Sequence, residues 1–427
     1  MCLHALAETR GETVRYGRFL DNPRVSADEM LVHAGQVTGR RVAGRHVLAI
    51  QDTTELHFAG HRASKRGFGT GGNGIDIGLF LHPMIAVDAV SGGVIGLVGA
   101  QVMNRTAGRV GERRSRAADD KESRRWLAGA EMAAGVLGDA AMVTVVADRE
   151  GDIYDQFARR PQAVGASVHL LCRAAQDRTL ATGERLFATC AAWKEQGRHT
   201  IEVPARGARP ARSALVALRF GEVTLRRPAT ASRNLPETVT LRVVDVMEVA
   251  PPDPEDAVHW CLLTTHAVPD LARACEIVGW YRLRWTIEQV FRTLKSAGAQ
   301  AETSQVTEAK RFVKLAVVAL IAAVRIVQIV IGRDATTAQP LSDVADTSDT
   351  KMLEAFSAKL EGRTALLKNP HDNTTLAWFA WIVARLGGWS GYTSKGYKPP
   401  GPKTIARGLI KLDGMTEGWN LAHSAHV

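Results

Sequence analysis

The run Met142-Val-Thr-Val-Val-Ala-Asp148 is short, apolar, rich in β-branched residues, and stops on an acid. It reads as a buried strand, and an acid at the carboxyl end of a central strand sits where α/β sheets place their chemistry. Arg149-Glu-Gly-Asp-Ile-Tyr154 follows and leads into a predicted helix, so Glu150, Asp152 and Asp155 read as charges at a helix N-terminus rather than as ligands.

A second acid has a similar setting. His46-Val-Leu-Ala-Ile-Gln-Asp-Thr-Thr54 reads as a strand carrying Asp52, where an acid among β-formers is locally disfavoured and so suggests function. A structural Asp at a strand end is the competing reading. Ile77 to Asp88 and Val94 to Val102 are further strands, joined by a hairpin turn at Ser91-Gly92-Gly93, and an antiparallel meander is expected. Gly67-Phe-Gly-Thr-Gly-Gly-Asn-Gly74 lacks a Gly-Lys-Ser/Thr ending and opens no helix, so it reads as a flexible loop. Ala166 to Arg173 supplies another strand. From about residue 186 to 265 the chain turns β-rich, with runs at His199 to Val203, Leu215 to Leu225, Val239 to Val246 and His259 to Thr265.

The 427-residue chain is 45% hydrophobic and 23% charged, enough to bury a sizeable core in several parts. Its net charge of +10 favours a polyanionic partner, nucleic acid being the natural candidate. Cys2, Cys172, Cys190, Cys261 and Cys275 form no Cys-x-x-Cys pair, which argues against a zinc site or a disulfide framework and fits a reducing cytoplasm. No secretory signal is visible. Phe312 to Ile331 is the longest apolar stretch, but Lys314, Arg325 and Gln328 interrupt it, and it reads as a buried helix instead of a membrane span. Arg105, Arg109, Arg113, Arg114 and Arg116 form a basic loop suited either to DNA phosphates or to plain solvation. Ser26 to Glu29 and Asp119 to Glu122 are capping-box candidates, the latter opening a helix through about Leu137.

The densest chemistry lies in Tyr281-Arg-Leu-Arg-Trp-Thr-Ile-Glu-Gln-Val-Phe-Arg-Thr-Leu-Lys295, within one long or slightly broken helix from Leu271. Steps of about 100° per residue place Arg284, Glu288 and Lys295 within roughly 60° of one another. Leu283, Ile287, Val290, Phe291 and Leu294 take a separate apolar sector. A carboxylate flanked by cations suits work on phosphate, with the acid on a divalent metal and the cations and phenol on phosphodiester oxygens. The same residues also fit a surface i,i+4 ion pair worth about 0.2–0.5 kcal/mol. Beyond Arg311 the chain reads mainly helical, with helices at Phe312 to Ile331, Lys351 to Leu360, Leu376 to Leu386 and Thr404 to Leu412 and a polar linker near Ala335 to Asp349.

The spacing Tyr-x2-Arg-x3-Glu-x6-Lys, here Tyr281, Arg284, Glu288 and Lys295, resembles the signature of DDE transposases of the insertion-sequence-four type, the group of transposon five. Asp52 in Asp-Thr-Thr and Asp148 in Asp-x-x-Gly, with Gly151 as the small residue, match that family's first two acids. The resemblance covers about residues 20 to 420. It implies an α/β fold with an RNase H-like core, a β-rich insertion and a helical C-terminal region. The expected organisation is a short N-terminal helical remnant of an end-recognition domain (1–45), catalytic core (46–185), β-rich insertion (186–265), catalytic core with the signature helix (266–332), and a C-terminal helical region suited to dimerisation (333–427). Family members usually carry a longer N-terminal domain.

The resemblance further implies that Asp52, Asp148 and Glu288 are catalytic and hold two Mg²⁺ ions, for which Mn²⁺ can substitute, about 3.5–4 Å apart. DNA contacts fall to Tyr281, Arg284, Lys295, Trp260 and Trp285, with Trp260 supporting a flipped base through stacking worth about 1–3 kcal/mol. A Trp packed under the insertion is the bland alternative. The implied activity is metal-dependent cleavage at the ends of a bacterial insertion sequence and strand transfer into target DNA, by cut and paste through a hairpin, in a homodimeric synaptic complex at the nucleoid. An RNase H-like nuclease without strand transfer, and a catalytically idle or truncated copy acting as a DNA-binding regulator, stand as rivals.

Overall fold

The computed structural model describes residues 9–58, 64–105, 124–160, 167–205, 210–297, 300–334, 339–345, 349–391 and 398–424. Arg109, Arg113, Arg114, Arg116 and the second capping-box candidate lie outside these. In chain order the strands are β1 (His46–Gln51), β2 (Thr54–His57), β3 (Gly69–Thr70), β4 (Ile77–Asp88), β5 (Val94–Met103), β6 (Met142–Ala147), β7 (Ser167–Arg173), β8 (Gly197–Val203), β9 (Arg212–Arg226), β10 (Thr238–Glu248) and β11 (His259–Thr264). The chain forms two compact units, one of Gly44–Asp52 and Gly111–Trp285, the other of Met1–Ala43, Thr53–Val110 and Thr286–Val427. The expected α/β class is borne out.

In the first unit the strand order is β1-β6-β7-β11-β10-β9-β8. β1, β6 and β7 run parallel, and the rest pair antiparallel. The parallel strands are apolar almost throughout because both faces are covered, which is why β6 reads as a continuous run rather than an alternation. Helix Arg124–Val136 packs on β1 and β6 and helix Leu271–Leu283 on β7, β9 and β10. Buried Gln51 donates its amide to the Trp126 carbonyl at 3.2 Å, tying β1 to the first of these helices. The β-rich runs between 197 and 264 all form strands, but helix Leu186–Ala192 precedes them.

In the second unit β2, β3 and β5 each pair antiparallel with β4. Ser91-Gly92-Gly93 turns the β4–β5 hairpin, with Asp88 accepting the Val90 and Ser91 N–H groups at 3.0 and 2.8 Å and Gly92 at a φ of 70°. Helices Ala27–Gly39 and Ala309–Gly332 pack on β5. Ser26 and Glu29 complete the expected capping box. The polar interruptions of Ala309–Gly332 have specific partners. Lys314 donates to the carbonyls of Leu20 and Asn22 at 3.0 and 2.7 Å, Arg325 to that of Val344, and Gln328 to those of Ile95 and Asp343 at 2.9 and 2.8 Å. This is the one helix among the described residues long and apolar enough to cross a membrane, and 67% of its most apolar window is buried inside the protein.

Four expectations are corrected. The first strand does not run through Thr54: β1 stops at Gln51, and β2 pairs with β4 while β1 pairs with β6. Asp52 and Thr53 leave the ladder because their side chains have other partners, Arg284 for the acid and His82 for the hydroxyl. The Gly-rich segment is not a loose loop. β3 lies within it, and Gly72 donates its N–H to Glu55 at 2.9 Å, where a Cβ would meet the carboxylate at 2.9 Å. Its glycines serve close approach.

The signature helix takes the slightly broken form, as two α-helices, Leu271–Leu283 and Trp285–Arg292, but a π-helical turn at Thr293–Ala297 follows, so the step of about 100° per residue does not hold as far as Lys295. The last helix extends over Pro402–Ser424, held by Ile405, Leu412, Met415 and Trp419 against the C-terminal apolar cluster. Gly408 permits the close crossing there, since a Cβ would lie 1.9 Å from the Val383 carbonyl oxygen.

Candidate active site

The parallel register builds the site. Ile50 is opposite Val146 and Ala147 opposite Cys172. Asp52 and Asp148 directly follow the carboxyl ends of β1 and β6, and Arg173 ends β7.

Asp148 is the N-cap of the tight turn Arg149–Gly151, and its Oδ1 accepts the Glu150 N–H at 2.8 Å. Gly151 is small for a reason: a Cβ there would lie 2.4 Å from the Ala147 Cβ and 3.4 Å from the Trp126 ring. Asp155 sits in the first turn of helix Tyr154–Ala158, as expected, and exposed Glu150 pairs with Arg125 at 2.7 Å.

Asp152 does more than act as the expected helix N-terminal charge. Its side chain is fully buried, binds Arg178 through Oδ1 at 2.6 and 2.8 Å, and accepts the N–H groups of Ala175 and Gln176 through Oδ2. A buried carboxylate needs such a full set of donors. The result fixes the chain after Asp148 to the chain after Arg173.

Asp52 accepts a hydrogen bond from Arg284 NH1 on Oδ2 at 2.8 Å, with side-chain exposures of 12% and 11%. Arg284 reaches it from the break between the two signature helices, where its backbone N–H still bonds the Tyr281 carbonyl at 3.1 Å. Its guanidinium also lies 5.4 Å from the Trp285 ring centroid. Tyr281 is buried, and burial pushes its phenol above the usual value while Arg284 and Arg173 pull it back. Its ring meets Trp260 edge-on at 5.4 Å. Trp260 is half-buried and Trp285 exposed.

Of the residues marked in the sequence, Asp52, Asp148, Trp260, Tyr281, Arg284 and Trp285 therefore belong to one unit. Glu288 and Lys295 belong to the other, Glu288 on helix Trp285–Arg292 and Lys295 in the π-helical turn, 3.8 Å from Glu302. Arg173 was missed. It donates to the His259 carbonyl at 2.6 Å and electrostatically feels Arg149, Tyr281, Arg284 and Asp148. A basic residue ending the strand that follows the acid strand was the available signal, since a parallel neighbour puts it beside Asp148.

Asp52 and Asp148 offer only carboxylate oxygens, the hard donors that suit Mg²⁺ or Mn²⁺. Their adjacency at two neighbouring strand ends fits such an ion. Among the described residues no group of three or more His, Cys, Asp or Glu side chains converges to hold one.

The family described as the transposase DDE domain matches residues 44–325, a span that includes Asp52, Asp148 and Glu288, and the chain belongs to that family.

Proposed function

We infer that, as a member of the transposase DDE family, the chain acts on DNA with the help of divalent metal ions. We propose that it is an insertion-sequence-four-type enzyme in which Asp52, Asp148 and Glu288 are the catalytic acids. The observation that carries this reading is that Asp52 and Asp148 directly follow the carboxyl ends of adjacent parallel strands, β1 and β6. Two Mg²⁺ ions on these acids would supply Lewis-acid activation of the attacking oxygen and stabilise the leaving one.

The chain's own groups do the rest. Arg173, Arg284, Lys295 and the Tyr281 hydroxyl present donors for phosphodiester oxygens, and arginine's planar fork can take two at once. Trp260, braced edge-on by Tyr281, offers a face for an unstacked base, and exposed Trp285 a second. In this reading water opens the phosphodiester at the element end, and the released 3′-hydroxyl attacks a second phosphodiester, first on the opposite strand to give a hairpin and later in target DNA. Residues 186–265 are the insertion that carries Trp260, and 333–427 form the region suited to pairing two copies.

Incubating purified protein with Mg²⁺ and a fragment bearing the element's own ends tests the proposal. Cleaved and joined products that disappear in Glu288→Ala are expected. Products retained in that variant would remove Glu288 from the chemistry, and cleavage without joining by the wild type would favour a simple nuclease.

A further inference from the structure

Arg284 NH1 lies 2.8 Å from Asp52 Oδ2, and both side chains are nearly out of solvent. That oxygen is one a divalent cation on Asp52 would approach. A guanidinium bound to the same carboxylate spends part of the oxygen's electron density and places a positive charge beside the cation. The two are competitors.

Arg284 also has an alternative partner of the same shape. A phosphodiester presents its oxygens to the guanidinium fork much as a carboxylate does. Arg173 and Tyr281 lie within electrostatic reach of Arg284, so an arriving phosphate would meet other donors there. Trp285 at 5.4 Å offers the guanidinium a ring to rest on after it leaves the acid.

We infer that Arg284 exchanges between Asp52 and a DNA phosphate, so that DNA binding releases the first acid for the cation and the two bind cooperatively. The inference rests on the reading of Asp52 as a metal ligand. Reciprocity follows: if DNA strengthens cation binding, the cation strengthens DNA binding by the same factor. Arg284 thus acts as a positioning residue on Asp52 as well as a phosphate contact.

Mn²⁺ binding to the full chain, read by electron paramagnetic resonance with and without a short duplex of the element's terminal sequence, tests the exchange. Asp52→Asn is expected to lose the ion. Without DNA, Arg284→Gln should bind Mn²⁺ on the order of tenfold more tightly than wild type. The duplex should tighten binding to wild type by a similar factor and leave Arg284→Gln unchanged. Arg284→Lys, which keeps the charge but loses the fork, should shift in the same direction by less, and it carries the comparison if the glutamine variant does not fold. Wild-type or weaker Mn²⁺ affinity in both Arg284 variants, with the ion still lost in Asp52→Asn, overturns the exchange alone. Unchanged binding in Asp52→Asn overturns the assignment of Asp52 as a ligand, and the exchange with it.

Discussion

Gly151 shows how a single atom's worth of space supports the site. The turn that follows Asp148 folds back on its own strand, and the Ala147 methyl occupies the place a Cβ at 151 would need. Gly151→Ala is therefore expected to destabilise the protein by about 1–3 kcal/mol, as overpacking does, and to displace the turn that caps Asp148. Chemical denaturation measures the first effect. The pairing of Asp152 with Arg178 has the same logic, since it locks the two segments leaving β6 and β7, and the sequence shows its acid only as a helix N-terminal charge because sequence does not display burial. Arg173 escaped notice for a similar reason. Its importance comes from strand adjacency, which is a property of the sheet.

The elements opposite the acid row carry a different cluster. His46 opens β1, His169 lies on β7, and His266 follows β11. Thr144 on β6 bonds both His46 and His266 at 2.8 Å, and His266 stacks on His169 at 3.9 Å. Burial, then the neighbouring His169 and His46, and then Arg273 and Arg160, push His266 down to about 2. The neutral ring is what the folded state accepts, whereas the unfolded chain takes up a proton near pH 6.5. Stability from His266 is thus full above about pH 6.5 and falls as the pH drops towards its folded value, by up to about 1.4 kcal/mol per pH unit. Urea denaturation at pH 7 and pH 5 should show this slope, and His266→Gln should flatten it. An equally steep slope in the variant would contradict the account.

Strand identity was legible at this scale because each run is bounded by turn residues and β-branched in composition, as β6, β7 and β9 to β11 show. Strand ends were less so, since Asp52 and Thr53 leave their ladder for tertiary partners. A slight break in the signature helix was within expectation, but the π-helical turn around Lys295 was invisible to an ideal helical projection. Local periodicity carries no record of a side chain drawn away to a distant acid.

For the whole molecule, the net charge of +10 and the family assignment point the same way, towards a polyanion gripped through its phosphates. If six to ten phosphates are contacted, DNA affinity should fall by about 10³–10⁵ between 50 and 200 mM salt. A nearly flat dependence, read by fluorescence anisotropy, would contradict a phosphate-dominated interface. The places of Asp148 after a strand and of Glu288 on a helix were readable in advance, because each lies beside or within a recognisable apolar run. The proposed role of Asp148 is to hold a divalent ion during DNA cleavage. Asp148→Cys tests it most directly, since a thiolate is a poor ligand for Mg²⁺ and a better one for Mn²⁺. The account predicts cleavage lost in Mg²⁺ and partly restored in Mn²⁺; wild-type cleavage by this variant in Mg²⁺ would contradict it.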